Sequence, residues 1–220
     1  MTKYGKDVIL KVLAITLIID GAAYFIEIIW LKIFLLALSI SLFGFTLYFF
    51  RDPKRDIPIN ISEDTVISPA DGKVVLITDI EYPNNDFYSK GKKLKQISIF
   101  LSPLNVHVNR IPISGTIKLN KYIEGDYIVA FDHKSSEKNE RTEIGILTGN
   151  NKKILFKQIA GFVARRIVCE LKEGQNVSAG DKFGMIKFGS RTDILIDPAS
   201  NIFVRIGDKV TGGETLIAEL

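Results

Sequence analysis

The chain has 220 residues, 46% of them hydrophobic, with 29 basic against 25 acidic side chains and a formal net charge of +4. The lysines are scattered and no basic stripe is interleaved with aromatics, which argues against a nucleic-acid partner. A single cysteine, Cys169, excludes an intramolecular disulfide, fits a reducing compartment and reads as a packed core residue.

The apolar residues crowd into the first fifty positions, so we expect a membrane anchor and linker over 1–56 and a soluble domain over 57–220. The run 33–50 carries no charge and is long enough to cross a hydrocarbon core, which takes roughly 17 to 25 residues. The run 8–19 is interrupted by Lys11 and followed by Asp20, so whether it spans or lies flat stays open. Lys3, Lys6 and Lys11 precede the pair, and Arg51, Lys54 and Arg55 follow it. A helical hairpin with both ends on the cytoplasmic side of the cell membrane satisfies the positive-inside tendency. Asp52-Pro53 and Ile57-Pro58 then break any helix and make a linker.

Beyond residue 60 short β-type runs alternate with Gly, Asn and Asp, at 73–77, 96–101, 106–111, 116–119, 144–147, 153–159 and 163–171. A mainly β (α+β) domain is expected. Within it Gly174, Val177, Gly180 and Phe183 match Gly207, Val210, Gly213 and Leu216, each pair 33 positions apart. That phrase puts glycines at turns between short strands and is similar to the half-motifs of a barrel-sandwich hammerhead.

Four stretches carry candidate chemistry. SPADG at 68–72 ends in Asp71, on its own an ordinary turn former. FLSPLNVHVNR at 100–110 contains His107, expected within a strand. DHKSSEKNER at 132–141 is a polar loop; its His133 has no neighbours at metal-ligand spacing, and no metal is expected. In KFGSR, at 187–191, a Gly-Ser pair follows a strand. Gly189 has no Cβ to shield its carbonyl and tolerates strained backbone, which lets the Ser190 hydroxyl approach that carbonyl. An N-to-O shift would turn the amide into an ester; β-elimination and hydrolysis of the resulting dehydroalanine would leave an N-terminal pyruvoyl group and ammonia.

Together, YFFRDP, VISPADG, SIFLSPLNVHVNRIP, the NER of 139–141, QIAGFVARRIVC, KFGSR and GGETLIAEL cover most of the chain. Their identities and order resemble phosphatidylserine decarboxylase in its short bacterial form. The resemblance implies self-cleavage between Gly189 and Ser190 into a longer β chain and a short α chain held by packing, with Ser190 becoming a covalent pyruvoyl cofactor. That group would condense with the substrate amine and take up the electron pair released as CO₂ leaves. The resemblance also implies that Asp71, His107 and Ser190 act together in maturation, as orienter, base and nucleophile, and it brings with it a homodimer. Long-form members carry two histidines in the proline-bounded stretch; here His107 stands at the first and Arg110 at the second, so the second histidine's role either lapses or falls to His107. Arg110, Arg165, Arg166 and Arg191 are candidates for the lipid phosphate, because guanidinium binds phosphate in bidentate fashion. A membrane-tethered hammerhead adaptor without chemistry is the alternative. A serine protease acting on other chains is a third reading, against which no oxyanion-hole signature accompanies Ser190. The choice between ester- and ether-linked lipid stays open.

Overall fold

The computed structural model describes residues 1–58, 62–82, 87–126, 138–161, 166–187 and 190–220. The chain divides into two compact units, Met1–Pro53 and Lys54–Leu220.

In the first unit a 3₁₀ turn, Lys3–Gly5, leads into helix α1 (Lys6–Tyr24), and helix α2 (Ile29–Phe49) follows after a short connection. Phe25 N–H and Ile26 N–H close α1 by donating to the carbonyls of Ala22 and Ala23 in turn. The helices pack on one another, and Thr2 N donates to Phe50 O at 3.0 Å, so they run antiparallel and both ends of the pair emerge together. Their buried hydroxyls are satisfied within the helix, Thr16 on Leu13 O and Thr46 on Leu42 O. Outward-facing side chains are large and apolar, Ile18 and Ile40 being 70% and 72% exposed. Helix α2 is, among the described residues, the one helix long and apolar enough to cross a bilayer; α1 is not.

The second unit is built of strands. They are β1 (Thr65–Ile67), β2 (Gly72–Tyr82), β3 (Lys92–Leu101), β4 (Val108–Arg110), β5 (Gly115–Ile123), β6 (Arg141–Leu147) and β7 (Lys153–Ile159). There follow β8 (Arg166–Cys169), β9 (Asn176–Val177), β10 (Lys182–Lys187), β11 (Ser190–Ile196), β12 (Asn201–Ile202), β13 (Lys209–Val210) and β14 (Leu216–Glu219). The main sheet runs β13-β2-β3-β11-β7-β6-β5-β9, and two three-stranded sheets run β1-β14-β12 and β4-β10-β8. The expected run 106–111 shrinks to β4, leaving His107 just ahead of the strand. The expected run 163–171 is described only as β8, because 163–165 lie outside the described residues.

The 33-residue glycine repeat has a geometric counterpart. Gly174, Gly180, Gly207 and Gly213 all take positive φ, from 81° to 102°, a conformation that L side chains rarely adopt. Gly207 N donates to Val74 O, and Gly174 N donates to Ile117 O, both at 2.8 Å. The strands they meet form a second repeat, offset by 43 residues, in which SPADG (68–72) matches IPISG (111–115). A Cβ on Gly72 would stand 2.4 Å from Phe100 O and 2.7 Å from Ile99 Cγ2; on Gly115 it would stand 2.4 Å from Leu147 O and 2.7 Å from Ile146 Cγ2. Each strand bulges at the matching place, between Val74 and Leu76 and between Ile117 and Leu119. The unit is therefore two interleaved halves of one design, β2·β3 with β13 and β5·β6 with β9.

Side-chain alternation gives the main sheet two different faces. Ile97, Ile99, Ile144, Ile146, Phe156, Ile194 and Ile196 enter one large apolar core. The opposite face carries Leu94, Leu155 and Leu195 under Tyr82, Phe87 and Tyr88 at one end, and a set of buried charges in its middle.

Candidate active site

Ser190 opens β11. Its backbone pairs with Leu101, the last residue of β3, whereas pairing with β7 starts one residue later, at Arg191 opposite Ile159. Ser190 is fully buried, and among the described residues its hydroxyl has no hydrogen-bond partner. Alternation with Ile194 and Ile196 puts Ser190 and Thr192 on the large-core face. Gly189 and Phe188, the other side of the expected scissile bond, lie outside the described residues.

After Leu101 the chain turns sharply. Asn105 Oδ1 accepts from both the amide and the hydroxyl of Ser102 at 2.8 Å, an Asx turn of the kind a short polar side chain favours. The turn delivers His107, also fully buried, with its carbonyl accepting from Ile186 N. His107 Nδ1 lies 3.0 Å from Asn105 O. A carbonyl only accepts, so this contact assigns the proton of a neutral imidazole to Nδ1 and leaves the Nε2 lone pair as the base. Thus the topology brings Ser190 and His107 to the same end of β3, each within a few residues of Leu101.

Three further residues join them. Gln158 sits opposite Thr192 on β7, and Gln158 Nε2 donates to Asn109 Oδ1 at 2.9 Å and to Val168 O at 3.2 Å, tying the main sheet to the β4-β10-β8 sheet. Gly184 permits this approach, since a Cβ there would stand 2.0 Å from Val168 O and 3.1 Å from Gln158 Nε2. Asn109 Nδ2, Gln158 Oε1, Thr192 Oγ1 and Ser190 Oγ are all buried with no partner among the described residues. Buried polar atoms are nearly always bonded, so four orphans along one connected line mark a place for a ligand or water. Sequence reading passed over Asn109, Gln158 and Thr192. The available signal was their position inside, or one residue beyond, stretches already singled out.

The structure does not bring Asp71 to His107. Asp71 receives Arg55 Nη2 on both carboxylate oxygens at 2.8 Å, and Asp71 Oδ1 also accepts from Gly212 N at 2.9 Å. The SPADG turn is tied instead to β4, through Arg110 N donating to Pro69 O at 2.9 Å. Asp71 therefore belongs beside position 110, where the resemblance has a second histidine and this chain has Arg110. Arg55 stands against the Asp71 carboxylate where a contact with His107 was expected, and the ring nitrogen Nδ1 of His107 faces Asn105 O instead.

The arginine candidates separate clearly. Arg191 points to the sheet face opposite Ser190 and is fully buried, with Nε 2.6 Å from Asp193 Oδ1 and Nη2 2.6 Å from Ser98 Oγ; it has no room for a phosphate. Arg110 is 6% exposed and gives Nη1 to Gly180 O at 2.9 Å, a structural contact. Arg166 on β8 is exposed, and Arg165 lies outside the described residues, as do His133 and most of the loop 132–141. Of that loop, Asn139 is described and buried, donating through Nδ2 to Ala160 O at 2.8 Å. Burial pushes the Cys169 thiol up from its ordinary range, in keeping with a partly buried side chain packed on the core.

Comparison with known proteins decides the family. The phosphatidylserine decarboxylase family model matches residues 42–218. The chain is 45% identical over 221 residues to the phosphatidylserine decarboxylase proenzyme of Chlorobium limicola, covering 99% of both chains. This chain belongs to the phosphatidylserine decarboxylase family. The proenzyme of Pelodictyon phaeoclathratiforme is 43% identical, with 99% of this chain and 98% of the relative covered. That of Chlorobaculum parvum is 49% identical over 183 residues, with 83% and 82% covered. The family model begins within α2, while the full-length relatives align from the first helix onward.

Proposed function

We propose that this decarboxylase-family chain is a membrane-anchored proenzyme that cuts itself between Gly189 and Ser190 and then converts phosphatidylserine to phosphatidylethanolamine and CO₂. The observation that carries the reading is Ser190: a fully buried hydroxyl without a partner, at the first residue of a strand, in a chain related over its whole length to proteins named as phosphatidylserine decarboxylase proenzymes.

In maturation His107 Nε2 takes the Ser190 proton as the hydroxyl attacks the Gly189 carbonyl, and Asn105 O holds the imidazole in the required tautomer. General-base help of this kind is typically worth ~10²–10⁴-fold. Asp71 contributes from the neighbouring turn, where Arg55 and Gly212 N fix its carboxylate. The orphaned hydroxyl at the head of β11 fits a pyruvoyl group made in place. Such a group supplies an electron sink for the carboxylate's departing electron pair. Around it Thr192, Gln158 and Asn109 offer unspent polar atoms to orient the serine head group, and His107 is placed to return a proton to the decarboxylated carbon. Of the phosphate candidates, the exposed Arg166 and its neighbour Arg165 remain, and the acyl chains would stay in the bilayer.

The helical pair supports anchoring, with Thr2 joined to Phe50 so that both ends leave on one side and large apolar side chains such as Ile18 and Ile40 facing outward. We read the two interleaved halves of the β unit as hammerhead-like modules, the catalytic domain as cytoplasmic, and the α and β chains as remaining packed, in a homodimer. The test uses the full chain in vesicles of phosphatidylserine. The account predicts CO₂ release with appearance of phosphatidylethanolamine, both abolished by Ser190→Ala and reduced at least ~10²-fold by His107→Ala. An uncut chain that releases no CO₂ would return the adaptor reading.

A further inference from the structure

A charge array crosses the centre of the main sheet on the face away from Ser190. Ser98, Asp193, Lys157 and Glu143 stand side by side on β3, β11, β7 and β6, matched residue to residue by the strand register. Arg191 adds its guanidinium at one end, on Asp193 and Ser98, and Gln96 Nε2 donates to the same Ser98 Oγ at 3.1 Å. At the other end Glu143 takes Lys157 at 3.1 Å, Arg141 at 3.1 Å and the Tyr82 hydroxyl at 2.7 Å. Arg191 and Asp193 are both 0% exposed. Ion pairs this deeply buried are poor devices for stability alone, because desolvation of the charges offsets their attraction. Their use is in fixing position.

Scission makes Ser190 a chain end, and chain ends fray unless something holds them. Among the described residues, Ser190 pairs with β3 alone, and its own side chain makes no hydrogen bond. Arg191 is the first residue of the new chain with a side-chain anchor, one residue from the reacting atoms. A slip of β11 by one residue would turn Arg191 and Asp193 onto the isoleucine face and take Arg191 away from Asp193 Oδ1 and Ser98 Oγ, its present partners. We propose that Arg191, Asp193 and Ser98 form a register clamp for the cut chain. Arg191 is a positioning residue, holding the N-terminal group of the α chain at its catalytic place once the covalent link through Gly189 is gone. The proposal rests on self-cleavage as described above, and it assigns the clamp little work before the cut.

The test compares cut and uncut forms of the full chain. Arg191→Met with Asp193→Asn removes both charges at similar volume, and Ser98→Ala removes one anchor with little risk to folding. Each is made in the native background and in Ser190→Ala, which stays uncut. Hydrogen exchange of the 190–196 amides, kcat and KM are read. In the cut protein, exchange at 190–196 rises about tenfold or more for the double variant and severalfold for Ser98→Ala, as expected when a strand end opens locally. The fall in activity lies in kcat, and the same variants in the uncut background exchange at the parental rate. Equal effects in cut and uncut chains, or unchanged exchange in cut Ser98→Ala, overturn the clamp. If the double variant does not fold, Ser98→Ala alone decides. A native chain that is never cut overturns the self-cleavage reading, and with it the clamp, a result distinct from cut protein with unaltered exchange.

Discussion

The two halves of the β unit use the same backbone to hold different side chains. In one, Asp71 accepts from Gly212 N at 2.9 Å; in the other, Ser114, at the matching place, accepts from Ala179 N at 2.9 Å. Both oxygens cap the same amide of the repeated glycine turn. Only Asp71 brings a charge, and only Asp71 is gripped by a guanidinium, that of Arg55 from the linker. The capping job is therefore structural and shared, and whatever Asp71 does for maturation lies in the charge and not in the turn. A second contrast sits across the sheet. Glu143 on β6 corresponds to Gln96 on β3, so the half remote from the Asp71 turn has a buried carboxylate where the other half has a neutral amide.

The equivalence of the halves is broken most forcefully at its glycines. Gly72→Ala and Gly115→Ala each drive a Cβ to 2.4 Å from a backbone carbonyl oxygen. Each should lower unfolding free energy by ~4 kcal/mol, and the two losses should agree within ~1 kcal/mol, measured by denaturant titration on a Ser190→Ala chain. A large effect at one and none at the other would refute the shared design.

Next in size is the carboxylate that the halves do not share. Burial alone would raise Glu143, but Lys157, the Tyr82 hydroxyl and Arg141 outweigh it and hold its carboxyl below the ordinary range. Because the folded pKa lies below the unfolded one, the stability this group adds is fully present above the unfolded value, about 4.3. It is lost as pH falls through the folded value. Glu143→Gln should cost ~3 kcal/mol at pH 7 and progressively less below about pH 4, read as the difference in melting temperature from wild type. A gap that does not narrow in acid would contradict the assignment.

Asp71→Ser sharpens the comparison directly, because it makes the first half chemically like the second. The Gly212 amide keeps an acceptor, Arg55 loses its partner, and the expected loss is ~1–3 kcal/mol together with slower self-cleavage, followed on a denaturing gel. Self-cleavage at the native rate would confine Asp71 to the capping role. Smallest is Ser114→Ala, which leaves Ala179 N uncapped at a cost of ~1 kcal/mol and leaves the rate of self-cleavage unchanged.

Much of this was legible in the sequence. The 33-residue repeat could be read because positive φ is written in glycine, and Gly174, Gly180, Gly207 and Gly213 all sit where the backbone requires it. The 43-residue repeat was not, since only the proline and glycine of SPADG and IPISG recur, and its strands interleave with the other pair. Ser190 and His107 were singled out through motifs whose chemistry is local. The environment of Arg191 was invisible: next to a nucleophile and full of donors, it reads as a ligand for phosphate. What buries it are Asp193 and Ser98, and Ser98 is 93 positions away. The Arg55 contact of Asp71 was not foreseen, for a related reason. The departure at Arg110 was visible, but nothing in the linker marked Arg55 as the cation that would occupy the carboxylate.

The central claim is a cut at one bond, and the intact mass of the denatured full chain beside its Ser190→Ala variant tests it most directly. The account predicts two fragments separating between Gly189 and Ser190, the smaller blocked at its N-terminus by a pyruvoyl group, and a single uncut variant chain. A single uncut wild-type chain from membranes that decarboxylate phosphatidylserine would contradict it.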